Sequence, residues 1–188
     1  MSPEEAAIHA VVAELEALAI PYMVTGSLAS THHGRPRTTQ DIDFVIDPGE
    51  PQLRQLVSGL REAGFYVDPD VAREALKRRR QFNAIQPDTG VKIDLIVRKD
   101  RPHSIEELHR RARVELAGGT AVSLATAEDC ILSKLEWSRK AGGSEKQLAD
   151  VMGVLEVQGP RLDLGYIDRW ARELDILDLW QRLRPPSE

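Results

Sequence analysis

One cysteine, Cys130, is all the chain has among its 188 residues. That excludes an intrachain disulfide and a cysteine-based zinc cluster, and the expected setting is a reducing one, the cytoplasm. Long hydrophobic runs are missing as well: nothing approaches the roughly 18–20 consecutive apolar residues that span a bilayer. Met1-Ser2-Pro3-Glu4-Glu5 shows no basic stretch followed by an apolar one, so the expectation is a protein neither exported nor held in a membrane. No repeat of fixed period and no low-complexity tract is present. Nor is there an excess of positive charge: 25 Lys and Arg stand against 30 Asp and Glu, a net of -5, which gives no general pull toward duplex nucleic acid or anionic lipid. Any nucleic-acid contact therefore has to be local. Three site patterns are absent too, Gly-x-x-x-x-Gly-Lys-Ser/Thr, Gly-x-Ser-x-Gly and His-Glu-x-x-His, which removes P-loop, hydrolase-elbow and zincin readings.

What is present suffices for one compact unit with a helical appendage, since 41% of the residues are hydrophobic and composition shows no break. Ser2, Pro3 and Glu5 have the pattern of a capping box, predicting a helix to about Leu18 with Ile8, Val11, Val12 and Leu15 on its apolar stripe. Ile20 to Thr25 reads as a strand, Gly26-Ser27 as a tight turn, and Leu28 to about Gly34 as a short helix. Asp41 to Ile46 predicts a strand stopped by Asp47-Pro48-Gly49, and Pro51 to Ala63 a helix closed by Gly64. Gln81 to Ile85 and Val91 to Val97 flank the turn residues Pro87-Asp88-Thr89-Gly90, which predicts a hairpin, and a second short hairpin is expected between Val114 and Leu124. After Thr126 only helices are expected: one from a Thr126/Asp129 capping box to about Lys140, one from a Ser144 cap to about Val157, and two short ones over 164–174 and 176–183. The fold class is α/β of the mixed α+β kind: a small mixed β-sheet flanked by helices, a core over residues 1–125 and a C-terminal helical module over 126–188.

Side chains alternate across a strand, so Asp41 and Asp43 share one face, roughly 6.6 Å apart along the backbone, while Ile42, Phe44 and Ile46 take the other. Two like charges at the start of an apolar strand repel unless a cation lies between them. Mg²⁺ suits such a pair, because it prefers hard oxygen ligands, keeps several waters and is completed by substrate phosphates. In Val91 to Val97 the apolar Val91, Ile93, Leu95 and Val97 share a face and Asp94 points the other way, a third carboxylate on a second strand. Thirteen residues separate Gly26-Ser27 from Asp41, and a Gly-Ser turn offers backbone N–H groups and a hydroxyl to phosphates. Each piece alone also fits something ordinary: a solvated Asp-x-Asp, a tight turn, an outward strand residue. Arg35 and Arg37 precede the aspartate strand, placed either for a phosphate or for structural pairing with Asp47 or Glu50, and Lys77-Arg78-Arg79-Arg80, the one basic run, reads as a solvated helix end, with contact to an RNA acceptor as the alternative. His32 and His33 diverge in direction and are discounted as metal ligands.

Taken together, Gly26-Ser27, the thirteen-residue spacing, Asp41-Ile42-Asp43-Phe44 and Asp94 on a later strand resemble the polymerase β-type nucleotidyltransferase superfamily. Arg35 through Asp43 is similar to the R-x-T-x-D-I-D approach of a bacterial branch that includes abortive-infection and toxin–antitoxin nucleotidyltransferases. Ala127 to Leu135 and Lys146 to Val151 resemble the same branch, which places a functional lysine and a later aspartate where this chain has Lys134 and Asp150. Gly142-Gly143-Ser144-Glu145 departs from it by interrupting a basic run before Lys146. The resemblance implies an enzyme that moves a nucleoside monophosphate from an NTP such as ATP to an acceptor hydroxyl, releasing pyrophosphate. Asp41, Asp43 and Asp94 would hold two Mg²⁺ ions, for which Mn²⁺ can substitute, and Asp94 would accept the hydroxyl proton. Gly26, Ser27, Arg37, Lys134 and Asp150 are the expected nucleotide-binding set, with a structural Lys134–Asp150 ion pair as the other reading of those two. The acceptor is an RNA end or a protein, in a toxin-like enzyme with an antitoxin-like protein partner. A small molecule of the aminoglycoside type is the alternative acceptor, and a non-catalytic nucleotide-binding module the third reading.

Overall fold

The structure, a computed structural model, describes residues 2–36, 41–116 and 118–185. It opens with α1 (Pro3–Ala17), whose Ser2 hydroxyl accepts the Glu5 N–H while Glu5 accepts the Ser2 N–H at 2.8 Å, the predicted capping box. Strand β1 (Tyr22–Thr25) runs straight into α2 (Gly26–His33), and β2 (Asp41–Ile46) is followed by α3 (Glu50–Glu62) and α4 (Pro69–Arg78). The hairpin β3 (Gln81–Ile85) and β4 (Lys92–Val97), helix α5 (Pro102–Arg110) and the short hairpin β5 (Ala112–Glu115) and β6 (Ala121–Leu124) come next. Helices α6 (Ala127–Lys140), α7 (Glu145–Gln158), α8 (Leu164–Glu173) and α9 (Leu177–Leu183) end the described chain.

Six strands among the described residues form one mixed sheet in the order β3-β4-β2-β1-β6-β5. The pairs β2–β4 and β1–β6 are parallel and the rest antiparallel. The order puts β1 and β2 at the centre, which is why all four β1 residues and the last three of β2 are buried. On β4 the alternation is strict: Ile93, Leu95 and Val97 are buried, whereas Lys92, Asp94 and Ile96 face the other way. One apolar core runs from Val11 and Leu15 of α1 through Phe44 and Leu95 of the sheet to Ile131 and Trp180 in the last helices. No helix among the described residues is long and apolar enough to cross a membrane.

Several expectations change in detail. The helices α4 and α5 lie where none was assigned. For α4 the signal was available, since Asp68 accepts the N–H groups of Asp70 and Val71 and Pro69 occupies the first helical turn. Ser144 precedes α7 but its hydroxyl makes no capping bond. Thr126 accepts the Asp129 N–H as predicted, yet the Asp129 carboxylate turns to the Thr126 hydroxyl at 2.7 Å and to the Tyr166 hydroxyl at 2.6 Å, so the reciprocal cap becomes a tie from α6 to α8. Arg35 pairs with neither Asp47 nor Glu50 but with Glu156 at 2.5 Å, because Asp47 is taken by Arg79 and Arg98. Arg79 of the basic run is thus tied into the fold rather than left as a solvated end.

Candidate active site

A cleft of about 630 Å³ opens over the ends of β2 and β4, walled by the start of α2, the segment after β4 and one face of α6. Its acidic floor follows from strand register. Thr25 lies opposite Asp43, and Asp43 lies opposite Asp94 on the parallel neighbour, so Gly26 and the two aspartates meet at one point of the sheet. Gly26 begins α2 with a φ of +63°, and a Cβ there would overlap Oδ2 of Asp43. Both facts call for glycine at this position.

Register neighbours on adjacent strands are roughly 4.8 Å apart, close enough for strong repulsion when both carry charge. Asp43 is accordingly pushed up to about 6, first by burial, then by Asp94 and Asp41, with Lys134 and Lys92 pulling the other way. Asp94 has the Lys92 ammonium 2.9 Å from Oδ1 and donating to Oδ2 at 3.1 Å, yet its Oδ1 is buried and receives no directed hydrogen bond. Asp41 stands at the exposed start of β2, opposite Lys92 in the register. Among the described residues no three histidine, cysteine, aspartate or glutamate side chains are grouped so as to hold an ion unaided. Two adjacent carboxylates with an unused buried lone pair do fit a Mg²⁺ ion whose remaining positions are filled by water and phosphate oxygens.

Lys134 lines the cleft although it is only 4% exposed, and its Nζ lies 2.7 Å from Oδ2 of Asp150 on α7. Asp150 itself is not part of the cleft wall. Cys130, one turn earlier on α6, has its thiol pushed up to about 12 by burial and is no nucleophile at neutral pH. Gly26, Ser27, Asp41, Asp43, Asp94 and Lys134 therefore line one cleft, Asp150 stands behind Lys134, and Arg37 lies outside the described residues.

The opposite wall was not foreseen from sequence. Arg101 grips Glu136 with two bonds of 2.8 and 2.6 Å, Lys140 adds a third at 2.6 Å and Lys99 stands 3.9 Å away. Burial would raise the Glu136 carboxyl, but these cations draw it down to about 2. Behind this wall lies a buried group on α5, α6 and α8: neither ring nitrogen of His103 has a directed hydrogen bond, Asp129 is 3.4 Å from its Nε2, and Glu107 is pushed up to about 7 chiefly by burial.

A family model described as "Nucleotidyl transferase AbiEii toxin, Type IV TA system" matches residues 16–164, and the chain belongs to that family of enzymes. No curated protein matches it in sequence. Among solved structures, the solution structure of the antibiotic-resistance factor ANT(2'')-Ia aligns with a TM-score of 0.58 at 14% identity, covering 97% of this chain and 99% of that one. An antigenic nucleotidyltransferase-like protein from Paracoccidioides brasiliensis gives 0.55 at 16% identity, covering 100% and 96%. The lincosamide antibiotic adenylyltransferase LnuA, bound to lincomycin, gives 0.56 at 9% identity, covering 81% and 97%. At such identities these likenesses show the fold alone.

Proposed function

We propose that the cleft transfers a nucleoside monophosphate from an NTP to the terminal hydroxyl of an RNA, with Asp43 and Asp94 at the centre of a divalent-metal site and Asp41 at its rim. The observation that carries this reading is the register pair of Asp43 and Asp94 with Gly26 pressed against them. Mg²⁺ bound there would supply charge neutralisation at the α-phosphorus and in-line alignment of the attacking and leaving oxygens. Asp94, exchanging the Lys92 ammonium at its Oδ1 for the acceptor, would orient the acceptor hydroxyl and take its proton. The amide groups of Gly26 and Ser27 at the start of α2 receive the β- and γ-phosphates, and Lys134 neutralises charge on the departing pyrophosphate. Asp150 is then a positioning residue, holding the Lys134 ammonium from behind. On this reading residues 1–125 carry the metal and phosphate floor and the module 126–188 supplies the closing wall.

The acceptor assignment rests on the lining. On the wall away from the aspartates Lys99, Arg101 and Lys140 share the carboxylate of Glu136, whereas Arg79, Arg98 and Lys134 are already balanced by Asp47, Asp100 and Asp150 outside the lining. Such a wall disfavours a polycationic aminoglycoside and favours a phosphate backbone. The family description supports a toxin-like role and an antitoxin protein partner. The test is to incubate the protein with Mg²⁺ or Mn²⁺ and each labelled NTP in the presence of cellular RNA, cellular protein or aminoglycosides. Label should appear on RNA and vanish with Asp43→Asn and Asp94→Asn; label on an aminoglycoside alone would overturn the acceptor, and label on nothing the activity. Metal and NTP together should raise the melting temperature, since both bind only the folded state.

A further inference from the structure

Among the described residues, large apolar side chains stand exposed at Tyr66, Val71, Ile105, Trp137, Met152 and Val157, and of these only Trp137 lines the cleft. Its indole is 52% exposed, whereas Trp170 and Trp180 are 7% and 0% exposed. Residues three and four apart share a helix face, so Trp137 projects beside Lys134 and Ser133 into the same space. The Lys140 ammonium lies 5.6 Å from the centre of its ring. That lysine also belongs to the cluster in which Lys99, Arg101 and Lys140 converge on the single carboxylate of Glu136. Three cations share this carboxylate, and the one other acid that acts on Arg101, Glu107, is pushed up to about 7 chiefly by burial. Half-buried Lys99 registers this: burial lowers its pKa, and Arg101 and Lys140 push the same way against Glu136. The cluster is also away from the aspartates, because Val97 lies three strand positions beyond Asp94, about 10 Å, and Lys99 and Arg101 follow beyond the strand end.

A flat exposed ring next to unbalanced cations is the arrangement by which proteins hold a nucleotide unit: the base stacks and the phosphate meets the charges. We infer that Trp137 is a stacking platform for a nucleobase and that Lys99, Arg101 and Lys140 bind the phosphate attached to it. The inference rests on the cleft being a nucleotidyltransferase site and adds a second nucleotide subsite to it. The base is one of the acceptor strand, because the incoming NTP keeps its phosphates at Gly26, Ser27 and Lys134.

The test is a fluorescence titration without metal, at fixed ionic strength, using an NTP, a single-stranded RNA pentamer and inorganic triphosphate as probes. With the other two tryptophans buried, stacking should quench the Trp137 share of the emission. Saturable quenching by the pentamer is the expected result, quenching by the NTP in preference to the pentamer overturns the second subsite, and inorganic triphosphate should quench neither protein nor variant. Read by the anisotropy of a fluorescently labelled pentamer, since the Trp137 variants lack the reporting indole, Trp137→Leu should bind roughly 5- to 100-fold more weakly, the range for loss of one stacked base. Trp137→Phe should bind it nearly as well as the parent, and Lys140→Ala should weaken binding and flatten its salt dependence. Unchanged affinity in Trp137→Leu, or no quenching by either nucleotide probe, overturns the inference. Asp43→Asn should quench like the parent, which keeps the two readings apart. Quenching without any transfer would sink the proposed function alone, and transfer unaffected by Trp137→Leu would sink the subsite alone.

Discussion

Asp43 and Glu136 line the same cleft in opposite electrical surroundings. Burial acts on both in the same direction, toward the neutral acid, yet Asp43 ends at about 6 and Glu136 at about 2. The neighbours decide: Asp43 has Asp94 and Asp41 beside it, Glu136 has Arg101, Lys140 and Lys99. A carboxylate pressed by other carboxylates marks where a cation would add most, and one crowded by three cations marks where another anion would. The two demands lie at different ends of one space. A nucleotide chain meets both, with its reacting phosphate at the aspartates and a further phosphate at the lysine wall.

The strongest way to break this contrast is Asp43→Asn, which keeps the shape and removes the repelled charge. Turnover should fall by at least about a hundredfold, the scale of a lost charge-stabilising group. Metal-free stability should move the other way. A raised folded-state pKa means the folded protein binds the extra proton between about 4 and 6, so Asp43 weakens the fold progressively as pH rises through that window. Its removal should stabilise the metal-free protein at pH 7 by something on the order of 2–3 kcal/mol and flatten the pH profile between 4 and 7. Chemical unfolding of both proteins at pH 4 and pH 7 checks this, and a variant less stable at pH 7 would mean Asp43 is already balanced. Next in size is Lys134→Met. Removing the ammonium breaks a buried ion pair, which should cost about 3–5 kcal/mol, whereas Lys134→Met with Asp150→Leu should recover much of the loss. A stable single variant with weaker nucleotide binding would instead make Lys134 a phosphate ligand first and a scaffold second.

The aspartate end of the cleft was far more legible in the sequence than the cation end, for reasons of range. Asp41 to Ile46 announces its strand and its two faces through local alternation, and Ser2, Pro3 and Glu5 announce α1 within four residues. The resemblance of Gly26-Ser27, Asp41-Ile42-Asp43 and Asp94 then gathers the floor. It does not give the register that places Asp94 beside Asp43, nor the overlap that excludes a side chain at Gly26, since both come from strand pairing across dozens of residues. Glu136 and Trp137 read locally as one more polar and one more apolar residue on an amphipathic helix. Their meaning depends on Arg101, 35 residues earlier, arriving at the same wall. The buried group of His103, Glu107 and Asp129 was illegible for the same reason, with one more reason for Asp129: its place in a capping pattern offered a sufficient local explanation that the fold then overrode.

The smallest expected effect tests the other half of the contrast. Glu136 has a depressed pKa, so its contribution to stability is fully present above its ordinary value near 4.5 and is lost as pH falls toward about 2. Glu136→Gln preserves size but leaves Arg101, Lys99 and Lys140 facing one another without their shared anion. At pH 7 the variant should be less stable by about 1–3 kcal/mol, the range for a hydrogen bond to a charged group, and the gap should narrow as both proteins are taken from pH 5 to pH 3. The same substitution should tighten binding of inorganic triphosphate, because the ligand then replaces a protein anion instead of competing with it. A variant with parental stability at pH 7 and weaker triphosphate binding would show that Glu136 orders the lysine wall rather than occupying the place of a ligand phosphate.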